Sequence, residues 1–497
     1  MKEVLLKRVV ILFIIGFIGH VTLAQDHPFP TKEQLTEARA GDLVLNAGLL
    51  GDYKTDFGTL IVTESEEKNS NKIELPVVRI HSKNQNPAYP VFFFEGGPGG
   101  TNIKLDNLPD WLLENHDIVR VGYRGVDGSV SLNAPEINDV IKNTNNLLST
   151  EGLKSFGSKM SEVARKLGNT GIDLEEYNII NVVNDMEKAR KALGYKKISL
   201  SGGSYGGAVV YTYCVLFPKS IQRALLTEAA FPFDMALVKP SSIDATLNHL
   251  NELWKQNSEC LSRSKDIVQT IRNVLKTLPQ SWNGINIDPD KIRFMTYFGL
   301  YTQKTIAQVF DAFIAAENGD YSGLAFMSYF WNNVVDMFNW GDMGAKTYCT
   351  ETGKISDYEK ELNSENSIIG SPLSLLAWGP RKYTDWPVKP APKVLREIRP
   401  IDVELLMVYG TKESAESVKR DYLPFFENGH IVNYENLGHQ DVGALQPEAS
   451  RQLEKMYFLN GSVDTSRFIK TESAQINFVP EQRFQDIAKS MMKQNEK

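Results

Sequence analysis

The stretch Ser201-Gly202-Gly203-Ser204-Tyr205-Gly206-Gly207 decides the fold of this chain. It follows Lys197-Ile198-Ser199-Leu200, a pattern typical of a short buried strand, and precedes an apolar helical pattern from Ala208 to Phe217. A serine at the tip of a tight turn between a strand and a helix is typical of a catalytic nucleophile, because the turn exposes its hydroxyl and the helix N-terminus favours negative charge. We therefore predict that Ser204, in its Gly-x-Ser-x-Gly setting, is a nucleophile.

Strand and helix patterns alternate on both sides of this turn. Residues 56–64 and 72–80 alternate apolar and polar side chains like paired antiparallel strands, and shorter apolar runs follow at 89–94, 117–121, 224–226, 403–408 and 431–434. Between about residue 235 and residue 395 the strand patterns stop and helical periodicity replaces them. The sequence therefore predicts an α/β fold, a mostly parallel sheet flanked by helices, with a large helical insertion that forms a cap.

The first residues have the pattern of a secretory signal peptide. Basic residues precede an apolar stretch from Val9 to Ile18, and small residues lead to a cleavage point after Ala24. The apolar stretch is shorter than the roughly 20 residues of a transmembrane helix, although an uncleaved anchor is the alternative. We predict a signal peptide at residues 1–24, core at 25–234, a helical cap at 235–395, and core with a C-terminal tail at 396–497. The mature protein is then exported, to the periplasm or beyond.

The composition excludes some classes of partner and site. The net charge is −7 and no basic run is present, which argues against nucleic acid as a partner. The three cysteines have no zinc-site spacing, so no metal site is expected. Because an exported chain permits disulfides, we predict a bond between Cys260 and Cys349 within the cap, and a free buried thiol at Cys214.

The topology also predicts a base and an acid for the serine. A serine hydroxyl needs a base within hydrogen-bond reach, and the base needs a carboxylate that fixes its tautomer. His439 follows the strand pattern at 431–434 and so lies at the same sheet edge as Ser204, whereas His430 precedes that pattern and lies at the opposite edge. We predict His439 as the base.

The acid is expected after the strand that precedes the histidine strand. Glu413 is the first carboxylate past the end of the strand at 404–409, and we predict it as the acid. Glu416 and Asp421 are alternatives on the same segment. Glu228, which follows an earlier strand, is a more remote alternative.

Two backbone N–H groups are needed to bind the oxyanion that forms when the serine attacks a carbonyl carbon. One is expected from Tyr205, directly after the nucleophile. The other is expected from the glycine-rich loop after the strand at 89–94, where Gly97 permits the close approach of a carbonyl oxygen.

Several blocks of the chain carry a resemblance to a known family. They include Glu95-Gly96-Gly97-Pro98-Gly99-Gly100, the helix at 185–194 before the serine turn, Gly410-Thr411-Lys412-Glu413 and Gly438-His439. Together they resemble the prolyl aminopeptidase and tripeptidyl aminopeptidase group of α/β hydrolases, peptidase family S33, over most of residues 56–461. The chain departs from this group in having Glu95 where the group usually has His, and Glu413 where it usually has Asp.

The resemblance implies a secreted serine aminopeptidase that releases N-terminal residues or short peptides through an acyl-enzyme. Short peptides are then the partners, no metal or organic cofactor takes part, and no membrane is bound after signal cleavage. Such enzymes need a carboxylate in the cap for the substrate ammonium, and Glu351 is the candidate. A carboxylesterase or other acyl hydrolase is the alternative, because this fold does not fix the substrate. A non-catalytic binding protein is a further alternative.

Overall fold

The computed structural model describes residues 27–67, 70–362, 366–397, 399–410, 412–434, 437–439, 441–468, 476–480 and 482–495. The predicted signal peptide at 1–24 lies outside these ranges. Within the described residues no helix is both long enough and apolar enough to cross a membrane.

One large sheet organises the molecule. Its nine strands in the described residues are β1 (Leu43–Leu50), β2 (Tyr53–Thr63), β3 (Lys72–Ile80), β4 (Ala88–Phe94), β5 (His116–Val121), β6 (Ile198–Gly203), β7 (Ile221–Thr227), β8 (Ile401–Tyr409) and β9 (Phe426–Asn433). Their spatial order is β1-β2-β3-β5-β4-β6-β7-β8-β9. A two-stranded ribbon, Ser281–Trp282 with Ile285–Asn286, lies apart from it.

The sheet is antiparallel at one edge and parallel in the rest. β1, β2 and β3 pair antiparallel, and β3 also pairs antiparallel with β5. From β5 through β4, β6, β7 and β8 to β9 every pairing is parallel. The carboxyl ends of these six strands therefore lie at one edge of the sheet, where side chains from several loops can meet.

Both faces of the sheet are buried. On β4, Val91 belongs to one hydrophobic cluster while Phe92 and Phe94 belong to the other, as the alternation of side chains along a strand requires. The continuous apolar runs of the parallel strands follow from this two-sided burial.

Helices cover the faces and form the insertion. They are α1 (Pro135–Asn143), α2 (Thr150–Asn169), α3 (Ile179–Ala192), α4 (Tyr205–Leu216), α5 (Pro240–Lys255), α6 (Ser258–Arg263), α7 (Ile267–Lys276), α8 (Pro289–Gly299), α9 (Gln303–Glu317), α10 (Ser322–Asp336), α11 (Trp340–Tyr348), α12 (Ile355–Leu362), α13 (Pro372–Trp378), α14 (Lys412–Asp421), α15 (Asp441–Leu445), α16 (Pro447–Asn460) and α17 (Phe484–Asn495). Helices α5 to α13 lie between β7 and β8 in the chain.

The C-terminal tail packs on the inserted helices. The backbone N–H of Phe484 at the start of α17 donates to the Asp311 carboxylate on α9 at 2.7 Å. Before that helix, the Phe478 ring lies 5.8 Å from the Phe310 ring and 5.6 Å from the Trp254 ring. The tail therefore shares a hydrophobic cluster with the inserted helices.

The structure contradicts the predicted disulfide. All three cysteines are buried free thiols. Cys349 follows α11 and donates to the carbonyl oxygen of Lys346 at 3.2 Å, and burial raises the pKa of its thiol to about 11. Cys260 lies in α6, where burial likewise raises its pKa. The predicted export of the chain permits a disulfide. Each of the two sulfur atoms is nevertheless buried as a free thiol, Cys260 within α6 and Cys349 at the end of α11. The free thiol expected at Cys214 is confirmed.

Candidate functional site

Ser204 occupies a strained backbone conformation between β6 and α4. Its φ and ψ are 52° and −123°, a region that residues with a side chain rarely adopt. Its N–H donates to the carbonyl oxygen of Thr227 at 3.2 Å, and its own carbonyl oxygen accepts from Gly207 and Ala230 at 3.0 and 2.9 Å. These hydrogen bonds hold the strained turn, so the serine is presented at the carboxyl edge of the sheet.

The glycines around Ser204 are required by contacts. A Cβ on Gly206 would collide with the carbonyl oxygen of Phe94, and a Cβ on Gly202 would lie 2.5 Å from the carbonyl oxygen of Gly206. Both contacts would be much shorter than a van der Waals contact. Strand β6, helix α4 and the end of β4 can therefore meet only because these positions lack a side chain.

The glycine-rich loop after β4 lies against the serine. An ideal Cβ on Gly96 would lie 3.0 Å from Ser204 Cβ and 3.6 Å from Ser204 Oγ. The next residue, Gly97, has a φ of +79°, and its carbonyl oxygen accepts from Gly100 at 2.9 Å. Tyr205, the other predicted donor, is the first residue of α4. Gly96, directly before the predicted donor Gly97, thus lies beside the Ser204 side chain.

Gly96→Ala is expected to lower kcat by about 3- to 10-fold, because relieving the new contact requires a shift of a few tenths of an ångström, and a shift of roughly 1 Å in a reacting group lowers the rate by about 100-fold. The added methyl group is too close to Ser204 Cβ, so either the loop or the nucleophile must move. Gly168→Ala is the matched control, because a Cβ there meets nothing within 4 Å. Steady-state kinetics of both variants check the prediction, and equal kcat values would contradict it.

His439 lies beside a buried carboxylate, and that carboxylate belongs to Glu228. The distance from His439 Nδ1 to Glu228 Oε2 is 3.8 Å. Glu228 follows directly after β7, and its other carboxylate oxygen accepts from the backbone N–H of Gly410 after β8. Because Thr227 is paired with Gly203 in the sheet, Glu228 also lies next to the serine turn. The structure thus collects Ser204, His439 and Glu228 at one edge.

The predicted acid, Glu413, lies in the segment after β8, whereas Glu228 follows β7. Its backbone belongs to α14, and its side chain lies outside the part that the structure describes. The two alternatives on α14 have surface partners: Glu416 pairs with Lys419 at 3.1 Å, and Asp421 pairs with Arg420 at 2.7 Å. Glu228, the most remote alternative in the sequence, is the carboxylate found beside the imidazole.

Glu228 is held in place by its backbone as well as its side chain. Its φ is +45°, another strained value for a residue with a side chain, and its N–H donates to the carbonyl oxygen of Val408 at 2.9 Å. The residue is 6% exposed. Strain, burial and fixed hydrogen bonds are typical of a carboxylate that has a functional position.

A buried ion pair on the cap helix α11 supports the glycine-rich loop. Asp342 Oδ2 accepts from Lys346 Nζ at 2.7 Å and from the backbone N–H of Gly99 at 3.1 Å. Lys346 Nζ lies 5.9 Å from the ring centre of Tyr205. Burial raises the pKa of Asp342 to about 6, while Lys346 acts in the opposite direction. This pair, which no sequence motif indicated, connects the cap to both predicted oxyanion elements.

Glu95, which stands where the resembled family usually has His, is neutralised by two cations. Arg120 Nη1 lies 2.5 Å and Lys104 Nζ 3.1 Å from its carboxylate oxygens. Burial raises the pKa of Glu95, but these two cations outweigh burial and hold it below its usual value. Because the carboxylate already has two partners, Glu95 acts as an anchor for the loop that follows it.

The candidate for binding a substrate ammonium is also paired. Glu351 Oε2 lies 3.3 Å from Arg381 Nε, and both side chains are partly exposed. Within the described ranges, no group of three or more His, Cys, Asp or Glu side chains could hold a metal ion. Ser204, the His439 imidazole and the Glu228 carboxylate, with backbone donors nearby, form the candidate site.

Residues 89–257 match a family model described as the alpha/beta hydrolase fold. This range contains the glycine-rich loop, the serine turn and Glu228, and the sheet order is the one found above. The protein has the α/β-hydrolase fold. Within an α/β hydrolase, a serine at this turn with a histidine and a carboxylate at the same edge is the arrangement of a serine hydrolase.

Two curated relatives match part of the chain. Serine protease Hip1 from Mycobacterium tuberculosis is 28% identical over 148 residues, which are 28% of this chain and 28% of Hip1. The Escherichia coli protein YuaR, named as a hydrolase, is 27% identical over 173 residues, 34% of this chain and 33% of YuaR. The chain therefore spans about a third or less of the length of these curated relatives.

Two solved structures are distantly similar to this chain. The proline iminopeptidase-related protein from Thermus thermophilus is 15% identical, with a TM-score of 0.34, over 85% of this chain and 98% of that chain. An epoxide hydrolase is 14% identical, with a TM-score of 0.33, over 84% of this chain and 100% of that chain.

Proposed function

We propose that this protein is an exported serine peptidase that cleaves short peptides from a free N-terminus. Ser204 is the nucleophile, His439 the general base and Glu228 the acid that orients the base. The observation that carries the proposal is the meeting of these three residues at one sheet edge, with Glu228 Oε2 at 3.8 Å from His439 Nδ1. Contacts of this kind are often long in a free enzyme and shorten when substrate binds.

The mechanism follows from the chemistry of the three side chains. Ser204 Oγ attacks the scissile carbonyl carbon while the imidazole of His439 takes the hydroxyl proton. Glu228 stabilises the imidazolium that results. Backbone N–H groups of Tyr205 and of the loop at Gly96-Gly97 hold the oxyanion, where preorganised donors have their largest effect. The imidazolium then protonates the leaving amine, and water hydrolyses the acyl-enzyme by the reverse sequence.

Two features favour a peptidase over other serine hydrolases. The glycine-rich loop at 95–100 resembles that of the aminopeptidase group, and one matched relative is named a serine protease. Cap residues also contact the loops on both sides of the serine: Asp342 binds Gly99, and the Tyr301 ring lies 4.7 Å from the His439 ring. A cap so close to the reacting groups favours short chain ends over folded substrates.

A panel of substrates tests the proposal. We expect dipeptide to tetrapeptide anilides with a free N-terminus to be cleaved with a kcat/KM at least about tenfold above that of the same peptides with an acetylated N-terminus, since hydrogen bonds to a charged group contribute about 1.5–3 kcal/mol. Short-chain p-nitrophenyl esters are the comparison arm. The protein is assayed without residues 1–24, so that the predicted signal peptide does not interfere.

The opposite pattern would overturn the peptidase assignment. If esters are hydrolysed and all free and blocked anilides are left intact, the protein is an acyl hydrolase of the esterase type. Equal rates on free and acetylated peptides would leave a peptidase but refute the requirement for a free N-terminus.

A further inference from the structure

A second buried carboxylate lies behind the histidine. Asp441 begins α15 and is 2% exposed. Its Oδ2 accepts from the backbone N–H of Gly438 at 2.7 Å, and its two oxygens accept from the backbone N–H of Gln303 at 3.0 and 3.2 Å. Gly438 precedes His439, whereas Gln303 is the first residue of the cap helix α9. One carboxylate therefore ties the histidine loop to the cap.

The cap contacts the same loop directly. The ring of Tyr301, just before α9, lies 4.7 Å from the imidazole of His439, with 47° between the ring planes. A Cβ on Gly438 would collide with the carbonyl oxygen of Tyr301, so only glycine permits this approach. The imidazole is thus confined by its own loop, by Glu228 and by the cap residues 301–303.

We propose that Asp441 and the cap segment 301–303 form a clamp that positions the catalytic base. In this role Asp441 is a positioning residue, because it acts through Gly438 and does not touch substrate. The inference rests on His439 being the base, as in the proposed function, but not on which substrate is cleaved. The cap then aligns the histidine in addition to covering the site.

The charge of Asp441 matters for the strength of the clamp. A carboxylate that accepts two N–H groups forms stronger hydrogen bonds than a neutral acceptor. Burial raises the pKa of the Asp441 carboxyl to about 6, the N–H groups of Gly438 and Gln303 oppose this, and Glu228 adds to it. Below about pH 6 the wild-type carboxyl is protonated, and its hydrogen bonds weaken.

Asp441→Asn tests the clamp on the best substrate of the panel. At pH 8 we expect kcat to fall by about 10- to 100-fold while KM changes by less than about twofold, because alignment and not binding is lost. The ratio of wild-type to variant kcat should decrease toward one as the pH falls below about 6, where wild-type Asp441 is itself neutral. A purely structural role would give a ratio independent of pH.

A backbone substitution tests the cap side of the clamp. Gln303 is the first residue of α9, where proline is tolerated, and Thr302 before it has φ and ψ of −139° and 151°, which suit a residue preceding proline. Gln303→Pro removes the N–H that donates to Asp441 and should lower kcat by about tenfold. Gln303→Ala, which also loses the glutamine side chain but keeps the N–H, is the matched control, and Gln303→Pro should be about tenfold slower than Gln303→Ala.

The outcomes separate the clamp from the proposed function. The clamp is supported if the Asp441→Asn kcat ratio depends on pH and Gln303→Pro is slower than Gln303→Ala. It is overturned if Asp441→Asn has wild-type kcat at every pH, if the ratio is constant with a lowered Tm, or if the two Gln303 variants are equal. The proposed function, by contrast, fails on the substrate panel or if loss of the Ser204 hydroxyl leaves activity intact.

Discussion

Ser204→Ala is expected to abolish covalent labelling by a fluorophosphonate and to lower kcat by about 10⁴- to 10⁶-fold, the range seen when a nucleophile that acts together with its base is removed. The physical reason is that the hydroxyl is the group that forms the acyl-enzyme, and the strained turn at φ 52° presents it at the carboxyl edge of the sheet. Gel fluorescence after labelling and kcat on the best substrate provide the two measurements.

Ser201→Ala is the matched control for this prediction. Ser201 lies on the same strand, β6, three positions before the nucleophile, and should label and turn over like the wild type. Because Ser204 already has small neighbours and alanine tolerates the same packing, the Tm of Ser204→Ala should stay close to that of the wild type. Equal labelling of Ser204→Ala and wild type would show that another residue is the nucleophile.

The parts of the fold that depend on local pattern could be predicted from the sequence. The serine turn was identifiable because strand, glycines and helix are adjacent in the chain, and the predicted α/β-hydrolase fold is confirmed by the sheet and the family match. The edge strand β1, Leu43–Leu50, was missed because its half-buried pattern, interrupted by Asn46 and Gly48, has little periodicity of its own. It forms through its pairing with β2.

Features set by contacts between distant segments could not be predicted in the same way. The disulfide prediction paired two cysteines because the chain is predicted to be exported. Whether two thiols meet depends on how α6 and α11 pack, and in the structure both cysteines are free. The tail at Phe478 and Phe484 lies far in sequence from the cap residues that it covers. Asp342 and Asp441 gave no motif, since each works by accepting backbone N–H groups of another segment.

The choice of the carboxylate partner for His439 shows most clearly what could not be predicted from the sequence. The parallel strands β7 and β8 are neighbours and end at the same edge, so a carboxylate after either strand can reach a histidine after β9. Sequence order favoured Glu413. What favours Glu228 is a left-handed backbone at φ +45° and a hydrogen bond from the N–H of Gly410, and neither is visible in a sequence. One signal was available: Glu228 is the first residue after its strand, as an acid at this edge should be.

Glu228→Gln is expected to lower kcat by about 10⁴-fold, as for other triads whose acid loses its charge. Glutamine has nearly the same shape, and its carbonyl oxygen can still accept from the backbone N–H of Gly410, so the loop after β8 should keep its position. What is lost is the negative charge 3.8 Å from His439 Nδ1, which fixes the tautomer and stabilises the imidazolium. KM and Tm should change little.

Glu413→Gln is the matched control, because it makes the same chemical change at the acid that chain order predicts. With Glu228 as the acid, Glu413→Gln should keep most of the wild-type kcat, and the double variant should be no slower than Glu228→Gln alone. The reverse result, with Glu413→Gln slow and Glu228→Gln active, would place the acid on α14. In that case Glu228 would act only as a buried acceptor that holds Gly410, a role that glutamine can fill, so both the kcat and the Tm of Glu228→Gln would stay near those of the wild type.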